Sequence, residues 1–333
     1  MDTRLLTAEP DDMRLAADII GAGGLVAFPT ETVYGLGGDA MNPMAASLIY
    51  EAKGRPADNP LIVHIADLQQ ASELAESLPL SFYALAERFW PGPLTMVVPK
   101  KPCVPDATTG GLPTVALRMP DHPTALELIR LAATPIAAPS ANISGRPSPT
   151  RWEHVRDDLA GRIDAIIASG PSAGGIESTV LDLTGPDPVI LRPGLIGPQD
   201  IERVLDRPVR YDPALADTEE RHGAPKAPGM KYRHYAPSAD MIVFRGEPEA
   251  TVQAIEQRRE REQKAGRKVG VLVYSGTENR LIAREFFSGL REMDETGVDL
   301  ILAAAVSEED PIGFSIMNRM LKAAGYRIEE VGV

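Results

Sequence analysis

The sequence predicts a mixed α/β protein with two α/β parts joined by a linker. Through about the first two-thirds of the 333 residues, short apolar runs alternate with longer helical patterns. This alternation is typical of mixed α/β folds rather than of helical bundles or β-sandwiches. Residues 206–238 then contain five prolines and no sustained apolar period, which is the composition of a linker. Beyond them, strand-like runs and helical patterns alternate again.

The elements of the first part follow from apolar runs bounded by polar or proline-containing segments. The predicted strands lie at 24–28, 61–65, 94–98, 114–118, 136–138, 179–183 and 189–191. The predicted helices lie at 10–21, 43–52, 80–89, 122–133, 151–160 and 198–205. Several helices begin with Pro, Asp or Ser, which suit the first turn because Pro lacks an N–H and the others can cap one.

The second part reads as a small βαβαβα unit. Its predicted strands lie at 241–246, 268–275 and 298–306, and its predicted helices at 248–264, 278–290 and 312–324. Helical crossovers between buried strands predict a parallel sheet with helices on its faces. We therefore expect domains at 1–205 and 239–333, with the linker at 206–238 between them.

Composition and charge exclude several classes of function. A formal charge of −13 argues against a general nucleic-acid or membrane surface, because phosphate binding would need a basic face. A single cysteine, Cys103, excludes a disulfide framework and a multi-cysteine metal site, and we assign no metal ligands. Neither a signal-peptide pattern nor an apolar run of about 18 residues is present. We expect a cytoplasmic protein without membrane contact.

The stretch KGRPADNPLIVH, residues 53–64, combines cations with a strand that ends in histidine. Lys53 and Arg55 flank Gly54, which lets the chain leave the preceding helix. Compensation of the helix dipole would account for the cations alone. Dipole compensation would not account for Asn59 or for an apolar strand that ends in His64. Fixed cations before such a strand suit an anionic ligand in a cleft.

Residues 24–40 suggest a small-molecule site at a strand end. Thr30, Glu31 and Thr32 follow the predicted strand, and we interpret the glycines at 35–38 as a turn. Hydroxyl groups beside glycines allow a ligand to approach the backbone closely. The glycine spacing does not match a dinucleotide fingerprint, because Ala40 stands where the third glycine belongs.

A second polar stretch and two arginines add to the candidate site. Residues 135–150 place small polar side chains after a short strand, and such a segment can wrap a phosphate. Arg118 and Arg192 lie in otherwise apolar strands and each needs an anion, either from a ligand or from Glu177 or Asp182.

The linker contains KAPGMKYRHYAP, the densest basic and aromatic patch of the chain. A basic tether beside a site rich in cations would be repelled unless an anion lay between them. We therefore expect a lid over a polyphosphate.

Several segments together resemble the YrdC-type fold of threonylcarbamoyl-AMP synthases. They are PTETVYGLGGDA, KGRPADNPLIVH, PGPLT, LPTVALRMPDHP, APSANISGRPSPT, ESTVLDLT and ILRPG. The tether and the later GFSIMNRMLKAA are similar to the longer, Sua5-type members, so the resemblance covers nearly the whole chain. It implies a YrdC-like twisted mixed sheet with helices forming a concave catalytic cleft, and a smaller Rossmann-like C-terminal domain.

The resemblance implies that L-threonine, bicarbonate and ATP are converted into L-threonylcarbamoyladenylate, diphosphate and water, with Mg²⁺ assisting. A separate tRNA threonylcarbamoyltransferase system would then use the adenylate to modify tRNA, and direct tRNA contact by this chain would be weak. Residues that would surround threonine are Thr32, His64, Arg118, Ala138 and Ser178. Residues that would line ATP are Lys53, Arg55, Asn59, Thr114, Ser140, Asn142, Ser148, Arg192 and Tyr232, with Lys53 and Arg55 as the catalytic cations.

Two other functions stay open at the level of sequence. Local cations permit an RNA-binding translation or ribosome-assembly factor with a YrdC-like fold, although the charge of −13 and the absence of an aromatic stacking stripe count against it. The other is a different carbamoyl-adenylate chemistry, as in hydrogenase-maturation proteins that contain a related domain. Those proteins normally carry zinc fingers, which a single cysteine cannot build.

Overall fold

The computed structural model describes residues 2–215, 235–274 and 278–332. The chain divides into two compact units. The described residues of the first are 2–144 and 148–215, and those of the second are 145–147 and the remainder from 235 onward. No helix within the described ranges is long and apolar enough to cross a lipid bilayer.

The first unit is built on one mixed sheet. Its strands are β1 (Arg4–Leu6), β2 (Val26–Phe28), β3 (Gly35–Asp39), β4 (Ile62–His64), β5 (Leu94–Pro99), β6 (Thr114–Arg118), β7 (Ile136–Ala137), β8 (Ala165–Ile167), β9 (Thr179–Asp182), β10 (Val189–Arg192) and β11 (Arg210–Tyr211). Within the described residues they lie in the order β1-β8-β2-β3-β7-β4-β6-β5-β9-β10-β11. The sheet contains both parallel pairs, such as β4 with β6, and antiparallel pairs, such as β5 with β6.

Helices connect these strands. They are α1 (Pro10–Gly21), α2 (Pro43–Lys53), α3 (Leu68–Leu74), α4 (Leu80–Phe89), α5 (Asp106–Thr109), α6 (Pro123–Ala132), α7 (Trp152–Leu159) and α8 (Pro198–Leu205). The end of α2 follows the sequence prediction, because Gly54 adopts a φ of 60° and breaks the helix directly after Lys53.

The two faces of the central strands have different partners. Alternate residues of a strand point to opposite faces. Leu61 and Val63, together with Leu117, belong to the main core of the unit. Their neighbours on the other face, Ile62 and Ala116, belong to a small separate cluster. One face therefore carries the core, and the other is left for the candidate site.

The predicted turn at 35–38 is wrong, because these residues form the interior strand β3. The glycines are needed for packing rather than for turning. A Cβ on Gly37 would lie 2.8 Å from Ile136 Cγ2 and 2.8 Å from Phe28 Cε1. Only a residue without a side chain fits between these neighbours, and a glycine-rich strand lacks the apolar alternation by which strands are predicted.

Other short elements were also missed by the sequence prediction. They are β1, α3, α5, β8 and β11. Strands of two or three residues show too little alternation to be detected from sequence. Their extended conformation depends on pairing with neighbouring strands of the sheet. The strand β11 pairs in parallel with β10, so the first part of the predicted linker continues the sheet. Residues 226–234 of the expected lid, including Tyr232, lie outside the described residues.

The second unit is a parallel α/β sandwich, as predicted. Its strands are β12 (Asp240–Gly246), β13 (Val269–Leu272), β14 (Leu300–Ala304) and β15 (Ile328–Val331), and its helices are α9 (Pro248–Lys264), α10 (Asn279–Thr296) and α11 (Pro311–Ala323). The strands are parallel and lie in the order β13-β14-β12-β15. The sequence prediction missed β15 and ended α10 too early, since this helix continues until Gly297 adopts a φ of 63°.

We predict that Gly37→Ala lowers the free energy of unfolding by about 1–3 kcal/mol, because the added methyl group overpacks the interior of the sheet. Urea denaturation would measure the change. Gly21→Ala is the matched control, since nothing lies within 4 Å of a Cβ at that helical position. The control should leave stability unchanged or raise it by up to about 1 kcal/mol. Equal stability of the two variants would contradict the packing argument.

Candidate active site

One face of the central strands carries polar side chains around an apolar floor. The floor consists of Ile62, Val97, Ala116, Val180 and Leu191. By the alternation of side chains, His64 and Arg118 continue the floor at one end and Thr114 at the other. A ligand on this face could therefore place an apolar part on the floor and polar groups at both ends.

Arg118 lies at the centre of what we call the Arg118 cluster: Glu31, Thr32, His64 and Arg118. The guanidinium Nη2 donates to Thr32 Oγ1 at 2.9 Å and lies 2.7 Å from Glu31 Oε1. Arg118 and Thr32 are buried, and the Glu31 side chain is 14% exposed. Both Glu31 oxygens are nevertheless without a hydrogen-bond partner among the described residues. The ion pair is close but not aligned, so a better-placed carboxylate could compete for the guanidinium.

His64 is the neighbour of Arg118 across the parallel pair of β4 and β6. Burial, together with the positive charge of Arg118, lowers the pKa of His64 to about 3. Its Nδ1 is buried and has no hydrogen-bond partner among the described residues, while the ring packs edge-on against Phe28 at 6.0 Å. At neutral pH this histidine is therefore uncharged.

Ser178 and Arg192 meet at the start of β9 and the end of β10. Arg192 donates from Nε to Ser178 O and from Nη2 to Ser178 Oγ, both at 3.1 Å. The Ser178 hydroxyl also lies 2.8 Å from Thr95 Oγ1. All three side chains are buried. Strand order explains the meeting, because β5, β9 and β10 are neighbours and their ends lie at the same edge.

Lys53 joins helix α2 to the loop after β7, in what we call the Lys53 cluster: Lys53, Ser140 and Asn142. Its Nζ donates to the carbonyl oxygens of Ser140 at 2.5 Å and Asn142 at 2.6 Å. The side chain is only 2% exposed, so it is not the surface cation that dipole compensation would require. The ammonium group instead sets the conformation of the loop and adds positive charge beside it.

Other predicted site residues lie before, within or after strands β4, β6 and β7 of the same sheet. Arg55 donates from Nη2 to Asn59 O at 3.2 Å and to Pro60 O at 2.9 Å. Asn59 is buried, and its Oδ1 accepts no hydrogen bond from the described residues. Thr114 begins β6 and is partly exposed. Ala138 follows β7 and donates its N–H to Ile62 O at 2.8 Å.

The carboxylate beside Arg118 is not one of the two that were expected. Asp182 accepts hydrogen bonds from the backbone N–H and hydroxyl of Thr184 at 2.9 and 2.6 Å. Glu177 accepts one from Ser148 Oγ at 2.5 Å. The carboxylate beside Arg118 is Glu31, so the expectation of Glu177 or Asp182 there is wrong. Glu31 comes from a distant loop, and sequence spacing contains no sign of that contact.

Comparison with known proteins identifies the family of this chain. Residues 18–194 match the Sua5/YciO/YrdC family, described as "Telomere recombination". Residues 196–325 match the family described as "Threonylcarbamoyl-AMP synthase, C-terminal domain". The chain belongs to the Sua5/YciO/YrdC family.

Individual relatives extend over nearly the full length of this Sua5-type chain. The threonylcarbamoyl-AMP synthase of Pyrococcus abyssi is 51% identical, over 96% of this chain and 96% of its own. The corresponding protein of Bacillus subtilis is 46% identical, over 97% and 96%. The crystal structure of P. abyssi Sua5 in complex with L-threonine superposes with a TM-score of 0.93 at 49% identity, covering 99% of each chain.

Within this family fold, two polar residues of the site were not singled out by sequence reasoning. Glu31 was noted only as part of a polar loop, and Thr95 only as part of the segment PGPLT. Thr95 is fully buried in β5 beside Ser178. A threonine in an otherwise apolar strand was an available signal, because a buried hydroxyl needs a partner.

We predict that the free energy of unfolding falls as the pH drops from about 6.5 toward about 3, because unfolded His64 takes up a proton that native His64 does not. Above about pH 6.5 His64 is neutral in both states, so its contribution to the free energy of unfolding is fully present there. His64→Gln should therefore make stability less dependent on pH in urea titrations across it.

His122→Gln is the control for this measurement. Burial also lowers the pKa of His122, but Glu31 and Asp121 oppose the shift. We expect a smaller change in the pH dependence than for His64→Gln. If the wild type and His64→Gln had the same dependence, the assignment of a neutral native His64 would be incorrect.

Proposed function

We propose that the cleft of the first unit carries out threonylcarbamoyl-AMP synthesis, the activity after which the relatives are named. The amine of L-threonine adds to bicarbonate, and loss of water gives a carbamate. A carbamate oxygen then attacks the α-phosphorus of ATP. The bond to the bridging oxygen breaks, and diphosphate leaves with its electron pair.

The Arg118 cluster and Ser178 hold L-threonine in this proposal. The threonine carboxylate replaces Glu31 at Arg118, because a bidentate carboxylate pairs better with a guanidinium than the unaligned contact does. Thr32 and Ser178 bind through their hydroxyl groups, and His64 presents a neutral polar atom. The backbone at Ala138 supplies a further polar contact. The displaced Glu31 then faces the amine of the substrate.

The Lys53 cluster and its neighbours hold ATP. Lys53 donates to the loop that follows β7, and Arg55 lies two residues further along the chain. Both cations counter charge that develops on the phosphates. The polar groups of Ser140, Asn142 and Ser148 line the phosphate path. Arg192 provides a further cation. Asn59 Oδ1 and Thr114 are available to the nucleoside.

Catalysis in this arrangement comes from positioning and electrostatics. The reaction needs no covalent protein nucleophile, since the substrate carbamate is itself the nucleophile. The protein orients the carbamate for in-line attack and supplies fixed cations. Together these effects lower the activation free energy by roughly several kcal/mol.

Magnesium enters this proposal as part of the nucleotide substrate. Within the described ranges, no group of three or more His, Cys, Asp or Glu side chains could hold a metal ion. Mg²⁺ commonly binds through substrate phosphates and water with few protein ligands. We therefore propose that ATP enters as its magnesium complex, in which the metal neutralises phosphate charge.

The remaining partners follow from the chemistry of the product. An acyl-phosphate-like adenylate hydrolyses readily, so a lid that includes Tyr232 would protect it from water. The product passes to a tRNA threonylcarbamoyltransferase system through a transient encounter. The charge of −13 disfavours tight binding of tRNA by this chain itself. We place the reaction in the cytoplasm, where ATP and tRNA both occur.

The observation that carries the proposal is a buried arginine whose carboxylate partner is close but not hydrogen bonded. The direct test is diphosphate release from ATP, with L-threonine and bicarbonate omitted in turn, and detection of the adenylate by mass spectrometry. Release should require both. If threonine and bicarbonate fail to promote diphosphate release while the protein binds RNA tightly and with a steep dependence on salt, an RNA-binding factor is favoured instead.

We predict that Arg55→Met lowers the rate of diphosphate release by about 10²–10³-fold and leaves the melting temperature nearly unchanged. Arg55 is partly exposed, whereas Lys53 is buried and holds the loop at Ser140. Lys53→Met should therefore lower both the rate and the melting temperature. Near-normal turnover of Arg55→Met would refute the phosphate role.

We predict that Glu31→Gln raises the KM for L-threonine about tenfold or more, because a charge-assisted hydrogen bond to the amine contributes about 1.5–3 kcal/mol. Steady-state diphosphate release at varied threonine concentration measures it. The exposed Glu76→Gln is the control and should leave KM unchanged. A lower KM for Glu31→Gln would show that Glu31 only competes with the substrate for Arg118.

A further inference from the structure

The second unit contains a cavity of about 550 Å³ at one edge of its parallel sheet. From the sheet it is lined by Phe244 of β12, Val273 after β13 and Ala304 of β14. From the helices it is lined by Val252 of α9 and Ile282 of α10. These side chains are apolar, and the volume lies within the range of about 300–1,000 Å³ found for small-molecule sites. The cavity can therefore enclose the apolar part of a small ligand.

Strand order explains why a cavity forms at this edge. From β12 the chain crosses to β13 on one side, and from β14 it crosses to β15 on the other. Because such crossovers are right-handed, the loops after these two adjacent strands diverge toward opposite faces of the sheet. In open parallel sheets, ligands bind in the crevice at such a switch point, outside the carboxyl ends of the strands.

Asn279, the first residue of α10, presents a hydrogen-bond acceptor to the cavity. It belongs to the lining and is 6% exposed. Its Nδ2 donates to Asp310 Oδ2 at 2.7 Å and to Ser307 O at 3.2 Å, so both amide protons are used. Its Oδ1 has no hydrogen-bond partner among the described residues, and it is not one of their closed-off oxygens, which include the hydroxyl oxygens of Thr251 and Tyr274. The two acceptors of Nδ2 fix the amide, and its oxygen is the end left for a ligand.

The other polar side chains around the cavity also favour a ligand that donates hydrogen bonds. They are the carboxylates of Glu309 and Asp310, which only accept, and the hydroxyl of Ser307, which can accept as well as donate. No lysine, arginine or histidine belongs to the described lining. A ligand with several N–H donors can therefore pair with each of these groups, whereas a ligand that only accepts finds few partners.

The net charge around the cavity is negative. Helices α9, α10 and α11 all begin at this edge, and each helix start carries about half a positive charge, roughly +1.5 in all. Against this stand three carboxylates: Glu309 and Asp310 in the lining, and Glu247 between the lining residues at 246 and 248. Glu278 and Arg280, at the start of α10, cancel each other. Because the carboxylates outweigh the helix dipoles, the cavity favours a cation.

We propose that this cavity binds a small organic ammonium ion, a primary amine that carries one aromatic or branched aliphatic group. The apolar group lies against Phe244, Val252 and Ile282. The ammonium donates to Asn279 Oδ1 and to the carboxylate of Glu309. The corresponding amino acid is excluded, because its own carboxylate would meet these carboxylates without a cation. The site goes beyond the threonylcarbamoyl-AMP chemistry proposed for the first unit and does not depend on it.

Isothermal titration calorimetry of the full chain tests the proposal. Phenethylamine and isopentylamine are titrated separately, with excess L-threonine present so that the threonine site proposed for the first unit is occupied. At least one amine should bind saturably. Its alcohol analogue, 2-phenylethanol or isopentanol, and the matching amino acid, L-phenylalanine or L-leucine, should each bind about tenfold more weakly or worse. No saturable binding of either amine would overturn the proposal, as would equal or tighter binding of the alcohol or the amino acid.

A bulky substitution at an exposed position locates the binding without disturbing the buried Asn279. Val252 lines the cavity and is 43% exposed, so Val252→Trp fills the cavity from its mouth and should weaken binding about tenfold or more. The control Gln253→Trp adds the same group at the next residue, which is exposed and outside the lining, and should bind like the wild type. Unchanged binding by Val252→Trp would place the amine elsewhere and overturn the proposal.

A charge substitution tests the selection of a cation. Glu309→Gln removes one negative charge of the lining and should weaken amine binding about twofold to fivefold. The control Glu295→Gln removes an exposed carboxylate at the opposite end of α10 and should leave binding unchanged. Equal binding by the wild type and Glu309→Gln would contradict the role of the carboxylate.

Diphosphate release measured on the same variants separates this inference from the function of the first unit. Val252→Trp and Glu309→Gln should retain the wild-type rate when no amine is added. Loss of amine binding with normal diphosphate release supports an independent second site. A loss of diphosphate release in both variants would contradict that independence, while absence of threonine-dependent release in the wild type would concern the first unit alone.

Discussion

The burial of Arg118 within the sheet is the constraint on which the arrangement of the first unit depends. A guanidinium taken out of water is stable only if charge and hydrogen-bond acceptors surround it. Glu31, Thr32 and the carbonyl of Gly92 provide them, at 2.7, 2.9 and 3.4 Å. These groups come from two loops far apart in the chain. The arginine therefore fixes both loops in place before any ligand arrives, and this preorganisation is what an electrostatic catalyst requires.

The sheet makes that burial possible by separating its two faces. One face of β4 and β6 packs into the main core through residues such as Val63 and Leu117. The opposite face has only the small cluster around Ile62 and Ala116. Polar side chains at the strand ends thus surround an apolar floor without entering the core. The same geometry keeps His64 neutral, because burial and the adjacent guanidinium both disfavour its protonated form.

The two units use charge in opposite ways although both belong to an acidic chain. In the first, Lys53 and Arg118 are buried cations held by oxygen atoms, so an anionic substrate finds positive charge in fixed positions. In the second, Glu247 and Asp310 already occupy the starts of helices where an anion could bind. The distribution of caps and cations, rather than the fold, therefore determines whether α/β elements offer positive charge to an anion.

The sequence by itself determined the α/β class and the parallel second unit, and it predicted the residues of the candidate site, because apolar periodicity and local motifs are properties of contiguous segments. It could not identify β3, since glycine in a strand is recognisable only from the close approach of Phe28 and Ile136. The sequence also could not show that Arg118 pairs with Glu31 or that Thr95 is buried beside Ser178. Only the tertiary structure decided these contacts, because they join residues distant in sequence whose meeting depends on strand order.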